Sequence, residues 1–226
     1  MDFSKPTQSS VASRFPALKS RGTCRGFVVY QNRVVVFESH LELIAFFLLS
    51  LLPTTATIFD QPTAVDYRDG EARHRHTFDF LVINHDGKRA MIAVKPAVQV
   101  RKSGINRILR LIAEQIPAGI ADSVHLITDA DFTYADRYNA TQAFDCSRFP
   151  NVEHDNAVNL LMAELVGAVR IVDIVNASGL GGMAFRAVIR LITSGVLVPV
   201  KPRERITPDS LVIRKLSPAA PGLMSS

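Results

Sequence analysis

The sequence predicts an α/β fold, a mixed β-sheet flanked by helices, followed by a smaller C-terminal domain of short helices and two strands. Three observations predict it. Two apolar, β-prone runs, residues 78–83 and 89–95, are joined by Asn84-His85-Asp86-Gly87, a hairpin signature. An amphipathic helix over 105–116 then leads to a third buried run at 123–128, which is strand-helix-strand alternation. From about Asn156 the pattern changes to short helices separated by turns.

Taken in order, residues 1–24 are rich in Ser, Pro and Arg without periodicity and are expected to form a mobile basic arm. Two β-branched runs at 27–30 and 34–37 surround Gln31-Asn32-Arg33, a short hairpin. Residues 38–52 read as a helix that is apolar nearly all round, hence buried, and Pro53 ends it. Residues 58–67 look extended but broken by Pro62, with a turn at Asp69-Gly70. Both faces of the 78–95 hairpin are apolar, which places it centrally in a sheet covered on both sides. Residues 131–144 are weakly helical.

The C-terminal region divides into helices over 157–168, 171–176 and 183–194, with Ser178-Gly179-Leu180-Gly181-Gly182 as a turn and Gly195 closing the last helix. Strands at 196–200 and 211–214 flank a Pro-containing loop. Helix-turn-helix followed by a two-stranded wing is the order of a winged helix. The expected domains are therefore 25–150 and 151–216, between the arm at 1–24 and a disordered tail at 217–226.

Composition sets the class. Of 226 residues, 47% are hydrophobic and 21% charged, enough for a real core. The longest apolar run, 43–52, is ten residues, about half of what a membrane-spanning helix needs. With no apolar leader at the start and only Cys24 and Cys146, neither secretion nor a disulfide or zinc framework is expected. The expectation is a cytoplasmic protein with no membrane segment.

The net charge of +5 is unevenly spread. Residues 1–35 carry Lys5, Arg14, Lys19, Arg21, Arg25 and Arg33 against Asp2 alone. Residues 86–110 carry Lys88, Arg89, Lys95, Arg101, Lys102, Arg107 and Arg110 against Asp86. Basic stretches alternating with acidic ones suit a protein that lays selected surfaces on a phosphate backbone, and equally an ordinary solvated surface. Lys88, Arg101, Lys102 and Arg107 are the candidate DNA contacts here. Arg186 and Arg190, one turn apart on the last helix, are the candidates in the C-terminal region.

Three charged residues stand out against apolar surroundings. Glu42 lies inside the apolar helix, where an unpaired carboxylate is costly. Ser39-His40-Leu41-Glu42 is a capping-box pattern, so a cap and a functional role are both open. Asp79 begins a buried run, and Lys95 closes one directly before Pro96. A three-residue loop, with Gly87 left-handed, pairs Asn84 with Lys88 and puts Asp79 opposite Ala93, with Asp79, Ala93 and Lys95 on one face. A two-residue loop would separate them. An Asp with a nearby Lys suits phosphodiester hydrolysis: the carboxylate holds a divalent metal, and the lysine orients water or offsets developing charge. His74 and His76 lack a third metal ligand, and Gly179–Gly182 lacks the lysine of a phosphate loop.

The ordered set Phe15-Pro16-Ala17-Leu18-Lys19, Phe37-Glu38-Ser39-His40-Leu41-Glu42, Asp60-Gln61-Pro62, His76-Thr77-Phe78-Asp79-Phe80-Leu81-Val82 and Ala93-Val94-Lys95-Pro96 resembles the TnsA-type transposon endonucleases. These belong to the PD-(D/E)XK nuclease superfamily, with a restriction-endonuclease-like fold. The C-terminal pattern resembles that family's second domain, used there to contact partner transposition proteins. The resemblance implies DNA as substrate, Mg²⁺ or Mn²⁺ as cofactor, Glu42 and Asp79 as metal ligands, and Lys95 as the catalytic lysine. It departs from the family at Phe78, where a small residue or proline is usual, and at Ala93, where the family has Glu or Gln. A methyl group cannot ligate magnesium; Glu38 and Glu114 are the candidate substitutes. Three readings follow: an endonuclease with impaired or conditional cleavage, an inactive nuclease-fold module that binds DNA or protein, and a winged-helix transcriptional regulator.

Overall fold

The computed structural model describes residues 8–13 and 24–215. The chain divides between Thr133 and Tyr134 into two compact units. The motif at 15–19, most of the basic arm and the tail at 217–226 lie outside the described residues.

The first unit opens with a hairpin, β1 (Gly26–Tyr30) and β2 (Arg33–Phe37), joined by Gln31 and Asn32. Both turn residues have positive φ, 48° and 63°, as a tight two-residue hairpin of matching twist requires. Helix α1 (His40–Ser50) follows. It starts two residues later than its apolar pattern suggests, because the Ser39 side chain caps it by accepting the Glu42 N–H.

The central sheet contains β3 (Thr55–Asp60), β6 (Phe80–Asn84), β7 (Arg89–Val94) and β8 (Ser123–Ile127), in the order β3-β6-β7-β8. The first three strands are antiparallel and β8 runs parallel to β7, so the sheet is mixed. The 78–95 hairpin is central, as its two apolar faces require. A separate ribbon, β4 (Val65–Asp69) and β5 (Ala72–His76), turns at Gly70 (φ 61°) between β3 and β6. The segment read as one broken extended run is therefore two strands in two sheets.

Between β7 and β8 the chain crosses over through α2 (Ala97–Ser103) and α3 (Ile105–Gln115). Left-handed Gly104 (φ 64°) separates them; α3 matches the helix expected over 105–116, and α2 is an additional short helix before it. Alternation then assigns the two sheet faces. Met91 and Ala93 are buried with Ile105, Leu109 and Ile112 on the α3 side. Phe80, paired with Ile92, meets Phe46 of α1 at 6.0 Å between ring centroids. The unit is thus a mixed sheet with helices on both faces.

The second unit comprises α4 (Tyr134–Ser147), α5 (Val152–Glu164), β9 (Val169–Arg170), α6 (Ile171–Ser178), α7 (Gly182–Thr193), β10 (Leu197–Pro199) and β11 (Leu211–Arg214). Its three strands are antiparallel in the order β10-β11-β9. Helix α4 belongs here rather than with the preceding sheet, because Cys146 is buried with Val158, Ile174 and Val188 in this unit's core. Helix α5 begins earlier than its apolar spacing suggests: Asn151 accepts the His154 N–H and sets the start. Among the described residues no helix is long and apolar enough to cross a membrane.

Candidate functional site

The hairpin between β6 and β7 decides whether the expected site can exist. Asn84 N–H donates to Lys88 O, Gly87 has φ 82°, and Phe80 pairs with Ile92. This is the three-residue loop, whose regular continuation would set Asp79 across from Ala93, but the ladder ends at Phe80–Ile92. The backbone departs from the regular ladder there. Asp79 N–H donates to Ile92 O, and its Oδ2 accepts the Val94 N–H at 2.6 Å. The carboxylate thus takes the ladder position of a carbonyl, which explains why an Asp is tolerated at the entry to a buried strand.

Ala93 is 3% exposed and lies in the core beneath α3. Lys95 follows β7 and donates its backbone N–H to Ile127 O. It is half-buried, and its charge reaches His76. The His76 imidazole is pushed below its ordinary value of 6.5, first by burial and then by the Lys95 charge. The ring stands edge-on to Phe78 at 4.7 Å, and its Nε2 is buried without a hydrogen-bond partner among the described residues.

Glu42 closes the capping box. Its Oε2 accepts the Glu38 N–H at 2.7 Å and its Oε1 the Ser39 hydroxyl at 2.9 Å. The cap, one of two roles open from the sequence, is therefore formed. Glu38 in turn accepts Gln61 Nε2–H at 3.1 Å, and the Gln61 backbone N–H donates to Asp79 O at 2.8 Å. A chain of hydrogen bonds thus runs from the first turn of α1 through Glu38 and Gln61 to Asp79.

Sequence reasoning missed the weight of Asp60 and Gln61. Gln61 is 2% exposed and has φ 37°, a left-handed conformation costing about 1 kcal/mol for a non-glycine residue. Asp60 is wholly buried; its Oδ2 accepts Ser10 Oγ–H at 2.5 Å and the Val36 N–H at 2.9 Å. Arg33, buried beside it, lies 4.2 Å over the Phe59 ring and donates to Ile58 O. Part of the expected mobile arm is therefore docked: Ser10 is held on Asp60, and Ser13 N–H donates to Gln61 O. The signal was a charged and an amide residue ending a β-prone run directly before Pro62.

The donor set does not fit a preformed divalent-cation site. Ala93 offers no oxygen, Glu42 is used in the cap, and Asp79 Oδ2 is used on Val94. Among the described residues no group of three His, Cys, Asp or Glu side chains is placed to hold a metal ion. Neither suggested substitute changes this. Glu38 is bonded to Gln61, and Glu114 lies exposed near the end of α3.

The basic residues separate. Lys88 sits at the far end of β7 from Lys95, about 20 Å away at the rise of an extended strand, and pairs with Asp86 at 3.2 Å. Arg101 and Lys102 are exposed in the last turn of α2. Arg107 is exposed but pairs with Asp69 at 2.6 Å. Arg186 is half-buried on α7. Arg190 leaves the set of free phosphate contacts: its side chain is 9% exposed, binds Asp155 at 2.6 Å and donates to Phe149 O. It ties α7 to α5 within the second unit. Of the expected contacts, Arg101 and Lys102 are exposed cations on α2, the helix that follows Lys95.

Compared with known proteins, the chain matches no protein-family model and no curated protein.

Proposed function

We propose that this chain is a DNA-acting protein of the TnsA-like, restriction-endonuclease-like type whose cleavage centre has been dismantled, so that it works by holding DNA rather than cutting it. The observation that carries this reading is the three-residue hairpin register, with Phe80 opposite Ile92, which brings the Asp79 carboxylate to the Val94 N–H, one residue beyond Ala93. In the resemblance to that family, the position two residues before Lys95 carries Glu or Gln, and here a buried methyl group fills it. The order α1, β3, β6, β7, α3, β8, with three antiparallel strands and a parallel fourth, supports the nuclease-type core. The bonded states of Glu42 and Asp79 support loss of cleavage: both carboxylates now stabilise the fold. Mg²⁺ or Mn²⁺ belongs to the ancestral chemistry in this reading, not to the present one.

In the second unit, the order α5, β9, α6, α7, β10, β11 supports a winged helix. With Arg190 committed to Asp155, that unit is proposed as a dock for partner proteins rather than a major-groove reader. The chain is proposed to act in the cytoplasm.

The reading is tested by fluorescence anisotropy of a labelled duplex with the full chain, with and without EDTA. Binding indifferent to EDTA is expected, with a salt slope reduced by about 2 in Arg101→Gln/Lys102→Gln. No binding at low salt, or binding that needs a divalent cation, would overturn it.

A further inference from the structure

The β4–β5 ribbon carries a cross-strand arrangement that its own stability does not explain. Asp66 pairs with Arg75 and Arg68 with Arg73, and these four exposed side chains share one face of the ribbon. The Asp66–Arg75 pair is an ion pair at 2.8 Å. Arg68 and Arg73, directly opposite each other, make no salt bridge among the described residues; the Arg73 charge reaches only Asp66, which is already bonded to Arg75. Like charges directly opposite on a sheet are destabilising.

Their spacing is the close kind. Arg68 N–H donates to Gln115 Oε1 at 2.8 Å, and Gln115 Nε2–H donates to Arg68 O at 2.9 Å. Both Arg68 backbone groups therefore point away from β5, which makes Arg68–Arg73 a non-hydrogen-bonded pair, with Cα atoms about 4.5 Å apart. The same clamp fixes the ribbon on α3, and Arg107 adds a second tie through Asp69. Two arginine side chains thus leave one face of the ribbon from directly opposed, anchored backbone positions. An open depression of about 560 Å³ lies along Arg68, Arg73, Arg75 and Gln115.

We infer that this ribbon is a second DNA-contact surface, with Arg68 and Arg73 gripping the phosphate backbone of a duplex and Arg75 beside them. Two neighbouring guanidinium forks match phosphate oxygens, and an anion between them removes the repulsion that the free ribbon bears. A two-stranded ribbon is also of a size that the major groove of duplex DNA admits. Surface, charge and rigidity all match one occupant, a double-stranded phosphate backbone. This inference rests on the DNA-binding reading above and adds a separate surface to it.

The experiment compares the full chain with Arg68→Gln/Arg73→Gln and with Arg101→Gln/Lys102→Gln, measuring duplex affinity across a salt series and thermal midpoint without DNA. For Arg68→Gln/Arg73→Gln, the expected result is affinity about tenfold or more weaker near 0.1 M salt, a salt slope shallower by about 2, and a midpoint unchanged or raised. Unchanged affinity in that variant, while Arg101→Gln/Lys102→Gln binds more weakly, would overturn the ribbon surface and leave the DNA-binding reading standing. Failure of the unaltered chain to bind duplex would remove both. A loss seen with heparin but not with duplex DNA also overturns the inference.

Discussion

Asp79 Oδ2 accepts the backbone N–H of Val94 at 2.6 Å, one residue beyond Ala93 on the neighbouring strand. The carboxylate that the proposed reading assigns to a lost metal site is thus bonded into the sheet. Asp79→Ala leaves a buried N–H without its acceptor and should cost about 1–3 kcal/mol, read as a lowered thermal midpoint. Asp79→Asn, which keeps an acceptor oxygen, should recover most of the loss. Equal midpoints for the two variants would contradict the bonding role.

The capping box gives a second discrimination. Glu42→Gln keeps the Ser39–Glu42 reciprocity, since glutamine serves at that position, and should leave stability nearly unchanged. Ser39→Ala should cost about 1 kcal/mol in urea unfolding. DNA binding should be unmoved in both. A glutamine variant that folds normally but loses DNA affinity would mean that the carboxylate charge serves the ligand.

In the second unit, Arg190 and Asp155 form a largely buried pair with a donated bond to Phe149 O. Asp155→Asn should cost about 3 kcal/mol, toward the lower end for breaking a buried pair. Its affinity for duplex, measured per folded molecule, should match that of the unaltered chain. A stable Asp155→Asn protein would remove Arg190 from this structural role.

His76 makes stability depend on pH in a defined direction. Burial, reinforced by Lys95, lowers its folded value below 6.5, so the unfolded chain binds the proton more readily. The contribution is fully present above 6.5 and is lost as pH falls through the folded value. Urea midpoints from pH 7 to pH 5 should fall less steeply in His76→Gln than in the unaltered chain. Lys95→Met should move the His76 titration, followed by NMR, toward higher pH. An unmoved titration would separate Lys95 from His76.

Much of the frame was legible in the chain, for physical reasons that differ between elements. The β6–β7 register was readable because Gly87 selects a three-residue loop, and a one-residue slip would have turned Met91 and Ala93 from the α3 face to the α1 face. The two-faced apolar pattern of those strands likewise announced a covered sheet. Boundaries set by side-chain caps were harder: Ser39 and Asn151 move helix starts by bonds that apolar spacing does not record. Helix α2, before Gly104, buries no residue and so left no apolar period to read. The fates of Arg190 and Glu42 were illegible for a related reason. An arginine on a helix looks the same in sequence whether it faces phosphate or Asp155, and a box glutamate looks the same whether it closes a cap or a metal shell. Asp60 and Gln61 stood in the sequence only as a motif without a role, because their roles depend on Ser10, Val36 and Glu38, at separations of 24 or more residues for Ser10 and Val36 and 23 for Glu38.

Nicking of supercoiled plasmid by the unaltered chain in Mn²⁺ or Mg²⁺, run beside Asp79→Ala and Ala93→Glu, tests the dismantled site most directly. The account predicts no nicking above the Asp79→Ala level, with duplex binding retained, and leaves Ala93→Glu as the only variant in which cutting can return. Nicking by the unaltered chain that disappears in Asp79→Ala would contradict it and restore the protein to the cutting enzymes.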